Sequence, residues 1–238
     1  MIVFDLDDTL HLRADPFGNA VEEMCGMSRT SADMPGLFED FRRIGMEYFR
    51  QWDKGEITEQ EMYIRRAIDA FIRHGIFLTG ESALAFQNAY EKHLGKIRLA
   101  EGMEEALQQA VDRKIGLGIL TNGPSRRQRR KIAVLELTRW IPESAMAVSS
   151  ELGIHKPDER IFALYQKKLR ENGTDVDRTD SWWYVGDSYE NDIEPAVKAG
   201  WNTIWLNRYD ADDGKQIRVQ PDYQIRSGKE LTDILRKI

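Results

Sequence analysis

Four aspartates stand where their carboxylates could act together on one cation. Asp5 and Asp7 follow directly on the apolar run Ile2-Val3-Phe4, and Asp187 and Asp192 follow a later apolar run. If both runs are strands of one α/β sheet, the acids meet where ligands bind, outside the carboxyl ends of the strands. Crowded carboxylates repel one another, so such a cluster persists only with a cation. An all-oxygen set suits Mg²⁺, which takes one or two carboxylates together with substrate phosphate.

Further polar residues follow other predicted strands and suit a phosphate group. Thr121 and Asn122 follow the apolar run 115–120, and Lys156 stands before Pro157 near the start of a predicted helix. The lysine adds a positive charge to the predicted Mg²⁺. A phosphate monoester dianion would balance both charges, so the residues predict a site for a phosphorylated small molecule.

The segments that must position these residues alternate between strand and helix after residue 100. Continuous apolar strands that alternate with helices indicate an α/β core with a doubly wound parallel sheet covered on both faces. Strands are predicted at 2–4, 115–120, 145–148, 182–185, 203–206 and 222–225. Helices are predicted at 102–114, 125–135, 158–169, 191–199 and 229–238.

Residues 14–94 have a different pattern, with apolar side chains at helical spacing and no good strand. Thr58 and Glu61 have the spacing of a capping box that opens one helix, and Ser82–Leu94 is predicted as another. We therefore predict a core domain of residues 1–13 and 95–238, interrupted by an inserted all-helical domain of residues 14–94.

Composition excludes several classes of protein. The chain has 238 residues, 41% hydrophobic and 31% charged, which is typical of a soluble globular protein. A net charge of −6 argues against a nucleic-acid partner, and no apolar run is long enough for a membrane span. The first residues show no signal-peptide pattern, and a single cysteine excludes a disulfide framework. We expect a cytoplasmic protein; the sequence indicates no oligomeric state.

Four short motifs in a fixed order carry a resemblance to a known family. They are Asp5-Leu6-Asp7-Asp8-Thr9, Leu120-Thr121-Asn122, Lys156-Pro157, and Gly186-Asp187-Ser188 with Asn191-Asp192. The sequence resembles the haloacid dehalogenase (HAD) superfamily, and within it the phosphatases that carry a helical cap after the first motif. The resemblance covers nearly the whole chain and implies a Rossmann-like core with an inserted helical cap.

The resemblance implies a reaction as well as a fold. It implies a Mg²⁺-dependent phosphomonoester hydrolase in which Asp5 is the nucleophile and forms an aspartyl-phosphate. Asp7 would be the general acid for the leaving alcohol and then the general base for water. Lys156 would tie Asp5 to the phosphate and offset charge in the transition state.

The remaining site residues are also implied by the resemblance. Thr121 would donate a hydrogen bond to a phosphoryl oxygen, with help from Asn122, so that both join Lys156 in binding the phosphate. The Mg²⁺ ligands would be the side chains of Asp5 and Asp187, the backbone carbonyl of Asp7, and Asp192 directly or through water.

Several alternatives remain open at this point. The substrate is expected to be a small phosphorylated metabolite, either a nucleoside 5′-monophosphate or a sugar phosphate or phosphoglycolate. A phosphomutase would use the same motifs. A haloacid dehalogenase would need neither Asp7 nor Mg²⁺, and a phosphonatase would need a lysine in the cap, where nothing marks Lys54 or Lys92. Outside the class stand a response-regulator receiver and a catalytically silent phosphate-binding protein.

Two other features are interpreted without a catalytic role. The run 126–131 has bases at five of its six positions and is interpreted as a solvated helix face. The four histidines show no metal-ligand spacing, so surface or packing roles are expected for them.

Overall fold

The computed structural model describes residues 1–174, 181–208 and 217–238. The chain divides into two compact units, one formed by Met1–Leu12 with Arg98–Ile238 and the other by Arg13–Ile97. Each unit has a buried apolar core of its own. Among the described residues, no helix combines the length and the apolar character needed to cross a membrane.

The unit Arg13–Ile97 contains four helices: α1 Ala14–Cys25, α2 Met34–Asp53, α3 Glu59–Ile72 and α4 Gly80–Leu94. The predicted capping box of α3 is confirmed, with the Thr58 side chain accepting from the Glu61 amide and the Glu61 carboxylate accepting from the Thr58 amide. Thr79 and Ser82 form a second box at α4, so this helix starts before the predicted Ser82. Both boxes satisfy amides that have no partner inside the helix.

An aromatic cluster fills the interior of this helical unit. Phe17 of α1 lies 4.8 Å from Phe41 of α2 and 5.7 Å from Phe86 of α4, measured between ring centroids. The ring of Phe71 from α3 lies 4.8 Å from Phe86. The cluster therefore takes at least one ring from each helix, and tilted and edge-to-face contacts of this kind stabilise a core beyond the area they bury.

The unit Met1–Leu12 with Arg98–Ile238 is built on six parallel strands. They are β1 Ile2–Phe4, β2 Leu117–Thr121, β3 Met146–Val148, β4 Trp183–Gly186, β5 Asn202–Leu206 and β6 Tyr223–Ile225. Their order in the sheet is β3-β2-β1-β4-β5-β6. In the register, Val3 of β1 faces Gly118 of β2 on one side and Tyr184 of β4 on the other.

This strand order contains a reversal between β1 and β4. The chain adds β2 and β3 on one side of β1, then crosses to add β4, β5 and β6 on the other side. In doubly wound folds a crevice opens at such a reversal, outside the carboxyl ends of the strands, and ligands bind there. The predicted fold class, an α/β core on a doubly wound parallel sheet with an inserted all-helical segment, is confirmed.

Six α-helices accompany the sheet in the described part of this unit: α5 Met103–Asp112, α6 Ser125–Val134, α7 Ser149–Leu152, α8 Arg160–Glu171, α9 Glu194–Lys198 and α10 Gly228–Leu235. Most lie within a few residues of their predicted bounds. The short helix α7 directly follows β3 and was not predicted. Strand β2 has a glycine at position 118 because a Cβ atom there would overlap the hydroxyl of Tyr165 from α8.

The helix predicted at 191–199 is instead two segments. Tyr189–Ile193 forms a π-helical turn, and α9 begins only at Glu194. The amide of Ile193 donates to the carbonyl of Ser188, five residues back, which is the π-helical pattern. Pro195 has no amide hydrogen to donate, so it fits only in the first turn of the next helix. This π-helical turn brings Asp192 back toward the end of β4.

Candidate active site

Three aspartates meet at the reversal of the sheet. Asp5 directly follows β1, and its amide donates to the Val185 carbonyl of β4 at 2.9 Å. Asp187 directly follows β4, and Asp192 lies in the π-helical turn. One carboxylate oxygen from each of Asp5, Asp187 and Asp192 lies within 4.8 Å of the other two. Residues that are far apart in the chain thus form one acidic cluster.

Lys156 supplies a positive charge inside this cluster. Its Nζ lies 2.8 Å from Asp5 Oδ1, 2.5 Å from Asp192 Oδ1 and 2.7 Å from the Tyr184 hydroxyl. Tyr184 donates its own hydrogen to the Leu120 carbonyl at 2.6 Å, so it accepts from the lysine. Burial alone would lower the pKa of Lys156, but the carboxylates of Asp192 and Asp5 raise it well above its usual value. The buried side chain is therefore an ammonium.

Asp5 has an unusual protonation behaviour for an aspartate. Its pKa is raised from 3.8 to about 6, because burial and, to a smaller extent, the carboxylates of Asp192 and Asp7 raise it by more than Lys156 lowers it. The desolvation of the carboxylate thus outweighs its attraction to the lysine. An added cation would stabilise the ionised form that a carboxylate nucleophile requires.

The side chain of Asn122 fixes the backbone that carries Lys156. Its Nδ2 donates to the Lys156 carbonyl at 2.8 Å, and its Oδ1 accepts from the Lys156 amide at 3.0 Å. Both polar atoms of the Asn122 amide are therefore bound to the lysine backbone. The structure brings Asn122 to the site through this contact, although the sequence predicted that it would help to bind phosphate.

Hydrogen bonds within the segment after β4, and one from β5, hold Asp187 and Asp192 in place. The Asp192 Oδ2 accepts from the Ser188 amide at 2.9 Å, and the Asp192 amide donates to the Ser188 carbonyl at 2.8 Å. The Nε1 of Trp205, from β5, donates to the Asp187 carbonyl at 3.0 Å. These bonds fix the backbone of the segment, so the two carboxylates keep their places near Asp5.

Asp7 lies on the same loop as Asp5 but has other partners. Both of its carboxylate oxygens contact the Nζ of Lys131, at 2.6 and 2.7 Å. Gln128 Nε2 donates to Asp7 Oδ2 at 3.1 Å, and His11 Nε2 lies 2.8 Å from Asp7 Oδ1. Asp7 is predicted to join the metal site through its backbone carbonyl, and its side chain meets the helix α6 instead.

Gln128 connects Asp7 to the end of β2. Its Nε2 lies 2.8 Å from Thr121 Oγ1 and 2.9 Å from the Asn122 carbonyl. Thr121 is 1% exposed, so its hydroxyl accepts this hydrogen bond out of contact with bulk water. The predicted catalytic side chains therefore form two groups: Asp5 is bound to Lys156, and Asp7 and Thr121 are bound to Gln128. Asn122 connects the groups, since its side chain binds the Lys156 backbone and its carbonyl accepts from Gln128.

Four residues of the site were not among the predicted ones: His11, Gln128, Lys131 and Tyr184. The interpretation of the run 126–131 as a solvated face is wrong for Lys131, which is 4% exposed. A signal was available, because Gln128, Lys131, Ile132 and Leu135 have the spacing of one helix face and all four are buried. Polar residues at core positions of a helix need buried partners, and Asp7 is that partner.

The acidic cluster fits a hard divalent cation. The donor set contains only carboxylate oxygens, as Mg²⁺ prefers. Asp5, Asp187 and Asp192 together with Lys156 leave about two negative charges uncompensated when all are ionised. Such repulsion in a buried site is relieved by a divalent cation.

Known proteins resemble this chain along its whole length. Glyceraldehyde 3-phosphate phosphatase of Methanopyrus kandleri is 23% identical over 100% of this chain and 97% of that protein. Pyrimidine 5′-nucleotidase PynA of Streptococcus pneumoniae is 25% identical over 99% of this chain and 94% of that protein. The magnesium-bound HAD-hydrolase YfnB of Bacillus subtilis has a similar fold, with a TM-score of 0.68 and 22% identity over 99% of this chain and 97% of that one.

The sequence profile of one family matches most of the chain. It covers residues 1–200, which include β1, the four-helix unit, β2 to β4 and all three acids of the cluster. With the strand order and the four motifs already described, this match identifies the family. The chain belongs to the haloacid dehalogenase-like hydrolases.

Proposed function

We propose that the protein is a Mg²⁺-dependent phosphomonoester hydrolase that acts on a small phosphorylated metabolite through an aspartyl-phosphate on Asp5. The observation that carries the proposal is the contact of Lys156 Nζ with Asp5 at 2.8 Å, inside a cluster of three carboxylates. A buried carboxylate nucleophile, a fixed ammonium and a cation site then stand together at the ligand-binding edge of the sheet.

Mg²⁺ would be held by the carboxylates of Asp5, Asp187 and Asp192, with the backbone carbonyl of Asp7 as a further ligand. When bound, it offsets the charge of the phosphoryl oxygens and of the acids themselves. The support for Mg²⁺ is the all-oxygen donor set, the surplus of negative charge, and the magnesium bound to the similarly folded YfnB.

The reaction takes two displacements at phosphorus. In the first, a carboxylate oxygen of Asp5 bonds to phosphorus while the bond to the alcohol oxygen breaks, and protonated Asp7 gives its proton to that oxygen. In the second, the Asp7 carboxylate takes a proton from water while the water oxygen bonds to phosphorus. The bond to Asp5 then breaks and inorganic phosphate leaves.

Lys156 and Thr121 bind the transferred group in this scheme. The ammonium of Lys156 lies where it can balance charge on both Asp5 and a phosphoryl oxygen. Thr121 accepts from Gln128, and its own hydroxyl donates to the Asn122 carbonyl over a long 3.5 Å, a contact that it would exchange for a phosphoryl oxygen. Asn122 supports phosphate binding indirectly, because it fixes the backbone of Lys156.

The proposed substrate class is supported by the named activities of the relatives. The named activities of the two relatives are a glyceraldehyde 3-phosphate phosphatase and a pyrimidine 5′-nucleotidase, and both substrates are small phosphate monoesters. A nucleoside 5′-monophosphate and a sugar or glycolate phosphate remain the two candidate groups. The proposed core and helical domains, 1–13 with 95–238 and 14–94, are supported by two compact units with nearly the same bounds.

The test is hydrolysis of 4-nitrophenyl phosphate and of a panel of phosphate monoesters, with and without Mg²⁺. We expect activity with Mg²⁺ only and release of inorganic phosphate. Asp5→Asn should abolish turnover, and mass spectrometry of quenched wild-type enzyme should find a phosphoryl group on Asp5. Asp112→Asn, an exposed aspartate of α5, is the matched control and should keep full activity. Full turnover by Asp5→Asn would contradict the proposal.

A further inference from the structure

We propose that Lys131 and Gln128 of α6 are positioning residues that hold Asp7 and Thr121 in the orientations needed for the two proton transfers and for phosphate binding. The inference rests on the proposed function and adds two residues to it. It starts from the basic run 126–131, for which the sequence favoured a solvated helix face.

Lys131 holds Asp7 by both oxygens. Its Nζ lies 2.6 Å from Oδ1 and 2.7 Å from Oδ2, and its side chain is only 5% exposed. Burial of an ammonium is costly unless a charged partner receives it, so this lysine has little freedom to leave the carboxylate. A contact to both oxygens also restricts rotation of the carboxylate plane. Lys131 therefore determines where the acid–base group of the reaction lies.

Gln128 ties the same carboxylate to the phosphate-binding threonine. Its side chain faces three oxygens: Asp7 Oδ2, Thr121 Oγ1 and the Asn122 carbonyl. A carboxylate and a carbonyl only accept hydrogen bonds, so the atom facing them is the amide nitrogen. Thr121 then accepts from Gln128, and its own hydrogen makes only a long contact of 3.5 Å to the Asn122 carbonyl, which a phosphoryl oxygen can replace. The glutamine thus orients the hydroxyl toward an incoming phosphoryl oxygen.

His11 gives Asp7 a third contact from its own loop. Its Nε2 lies 2.8 Å from Asp7 Oδ1, and the ring is fully buried. Removal of Lys131 would therefore still leave His11 and Gln128 in contact with the Asp7 carboxylate. A variant at Lys131 loosens the carboxylate without exposing it, so its effect on catalysis can be measured in a folded enzyme.

The positioning role has a signature that general destabilisation lacks. Departure of 4-nitrophenolate needs no proton, so the first displacement with 4-nitrophenyl phosphate does not depend on Asp7. Hydrolysis of the phosphoenzyme does depend on it, because water must lose a proton to Asp7. An alkyl phosphate needs Asp7 in both displacements. Misplacement of Asp7 should therefore slow only the second displacement with 4-nitrophenyl phosphate, but both displacements with an alkyl phosphate.

The experiment uses Lys131→Met, which keeps most of the side-chain length and removes the charge. With 4-nitrophenyl phosphate we expect a burst of one equivalent of nitrophenolate at the wild-type rate, followed by a steady state slowed about 10- to 100-fold. With glycerol phosphate we expect no burst and a loss of at least the same size. Lys131→Arg should restore part of the steady-state rate. Arg126→Met, an exposed arginine of the same helix, should behave as wild type.

Gln128→Met tests the second half of the inference. Loss of its amide should weaken competitive inhibition by inorganic phosphate about fivefold, the equivalent of one hydrogen bond. Lys131→Met should leave this inhibition constant unchanged, because the donor to the Thr121 hydroxyl is Gln128. Thermal unfolding of each variant checks that the fold is intact, and either variant tests the inference if the other does not fold.

The outcomes separate the inference from the proposed function. If wild type hydrolyses the substrates and Lys131→Met slows burst and steady state equally, or slows neither, the positioning role of Lys131 is refuted and the phosphatase stands. Unchanged phosphate inhibition in Gln128→Met would refute the role of Gln128 alone. If the wild-type enzyme hydrolyses no phosphate ester with Mg²⁺, the proposed function fails and the inference fails with it.

Discussion

Gly186 lies directly against the side chain of Asp192. A Cβ atom added to Gly186 would fall 2.5 Å from both Cγ and Oδ2 of the aspartate. The carboxylate of Asp192 bonds to Lys156 and to the Ser188 amide, so it has no room to move aside without loss of these bonds. Asp192 can therefore take its place in the acidic cluster only because residue 186, at the end of β4, is a glycine.

We expect Gly186→Ala to displace Asp192 and lower kcat by about 100-fold, the scale of a 1 Å error in an active site. The Mg²⁺ concentration for half-maximal activity should rise as well, because one carboxylate of the cluster moves. A Mg²⁺ titration of phosphatase activity measures both. Gly116→Ala is the control, since its Cβ would lie at an ordinary 3.6 Å from the Met1 side chain. An active Gly186→Ala enzyme with wild-type Mg²⁺ dependence would contradict the contact.

Phenylalanine variants of two buried tyrosines can distinguish an effect on stability from an effect on catalysis. Tyr184 donates to the Leu120 carbonyl and accepts from Lys156, whereas Tyr165 donates to the Ala145 carbonyl at 2.8 Å, away from the acids. Each phenylalanine variant loses one buried hydrogen bond to a carbonyl. We expect both variants to lose about 1–2 kcal/mol in free energy of unfolding, measured in urea.

Only Tyr184→Phe should also lower kcat, by about fivefold, because Lys156 loses one of its three acceptors. Tyr165→Phe should keep the wild-type kcat. Equal kcat values for the two variants would mean that the tyrosine hydroxyl does not help to hold Lys156.

The raised pKa of Asp5 predicts a dependence of stability on pH in the metal-free protein. The folded state has a pKa of about 6 for this group against 3.8 in an ordinary aspartate, so it binds the proton more tightly than the unfolded chain. The contribution of this proton to the free energy of unfolding is complete below about pH 4. It is lost as the pH rises through about 6, where the buried carboxylate must ionise.

Asp5→Asn removes this titration and isolates it from all other groups. In EDTA, the free energy of unfolding of Asp5→Asn relative to wild type should rise by about 2 kcal/mol between pH 4 and pH 7. Urea unfolding at several pH values measures the difference. A difference that is flat, or that falls with pH, would show that Lys156 overcomes the cost of burial.

Arg129 has a structural role that differs from that of its neighbour Lys131. Its guanidinium donates to both oxygens of Glu151, at 2.9 and 2.7 Å, and to the Met146 carbonyl at 3.1 Å. Arg129→Glu would place two carboxylates together and remove the donor to Met146. We expect a loss of about 1–3 kcal/mol in free energy of unfolding, smaller in high salt. Arg126→Glu makes the same change of charge at an exposed position and should stay within about 0.5 kcal/mol of wild type.

The fold could be predicted because each element has its own pattern. Apolar runs that alternate with helices indicated the parallel sheet, and the capping box of Thr58 and Glu61 marked the start of α3. The π-helical turn before Pro195 could not be predicted, because its i to i+5 bond depends on the position of Asp192 beside Gly186. Long-range packing, rather than local preference, determines that turn.

The site was predictable where a residue follows a strand directly and less so elsewhere. Asp5 and Asp187 meet because adjacent parallel strands end at one edge. Lys131 and Gln128 reach the same edge from a helix, and their partner Asp7 is 124 residues from Lys131 along the chain. Helical spacing alone indicates that a residue is buried and does not indicate which carboxylate receives it.

The strand order also has a consequence for the time at which the site forms during synthesis. The proposed nucleophile Asp5 is translated well before its partners, because Lys156 comes 151 residues later and Asp192 another 36. At about 5–20 residues per second, roughly 10 to 40 s separate Asp5 from Asp192 on the ribosome. The nascent chain therefore carries an aspartate without its ammonium until β4 can insert beside β1. The proposed catalytic residues therefore come together in one late event rather than by stages.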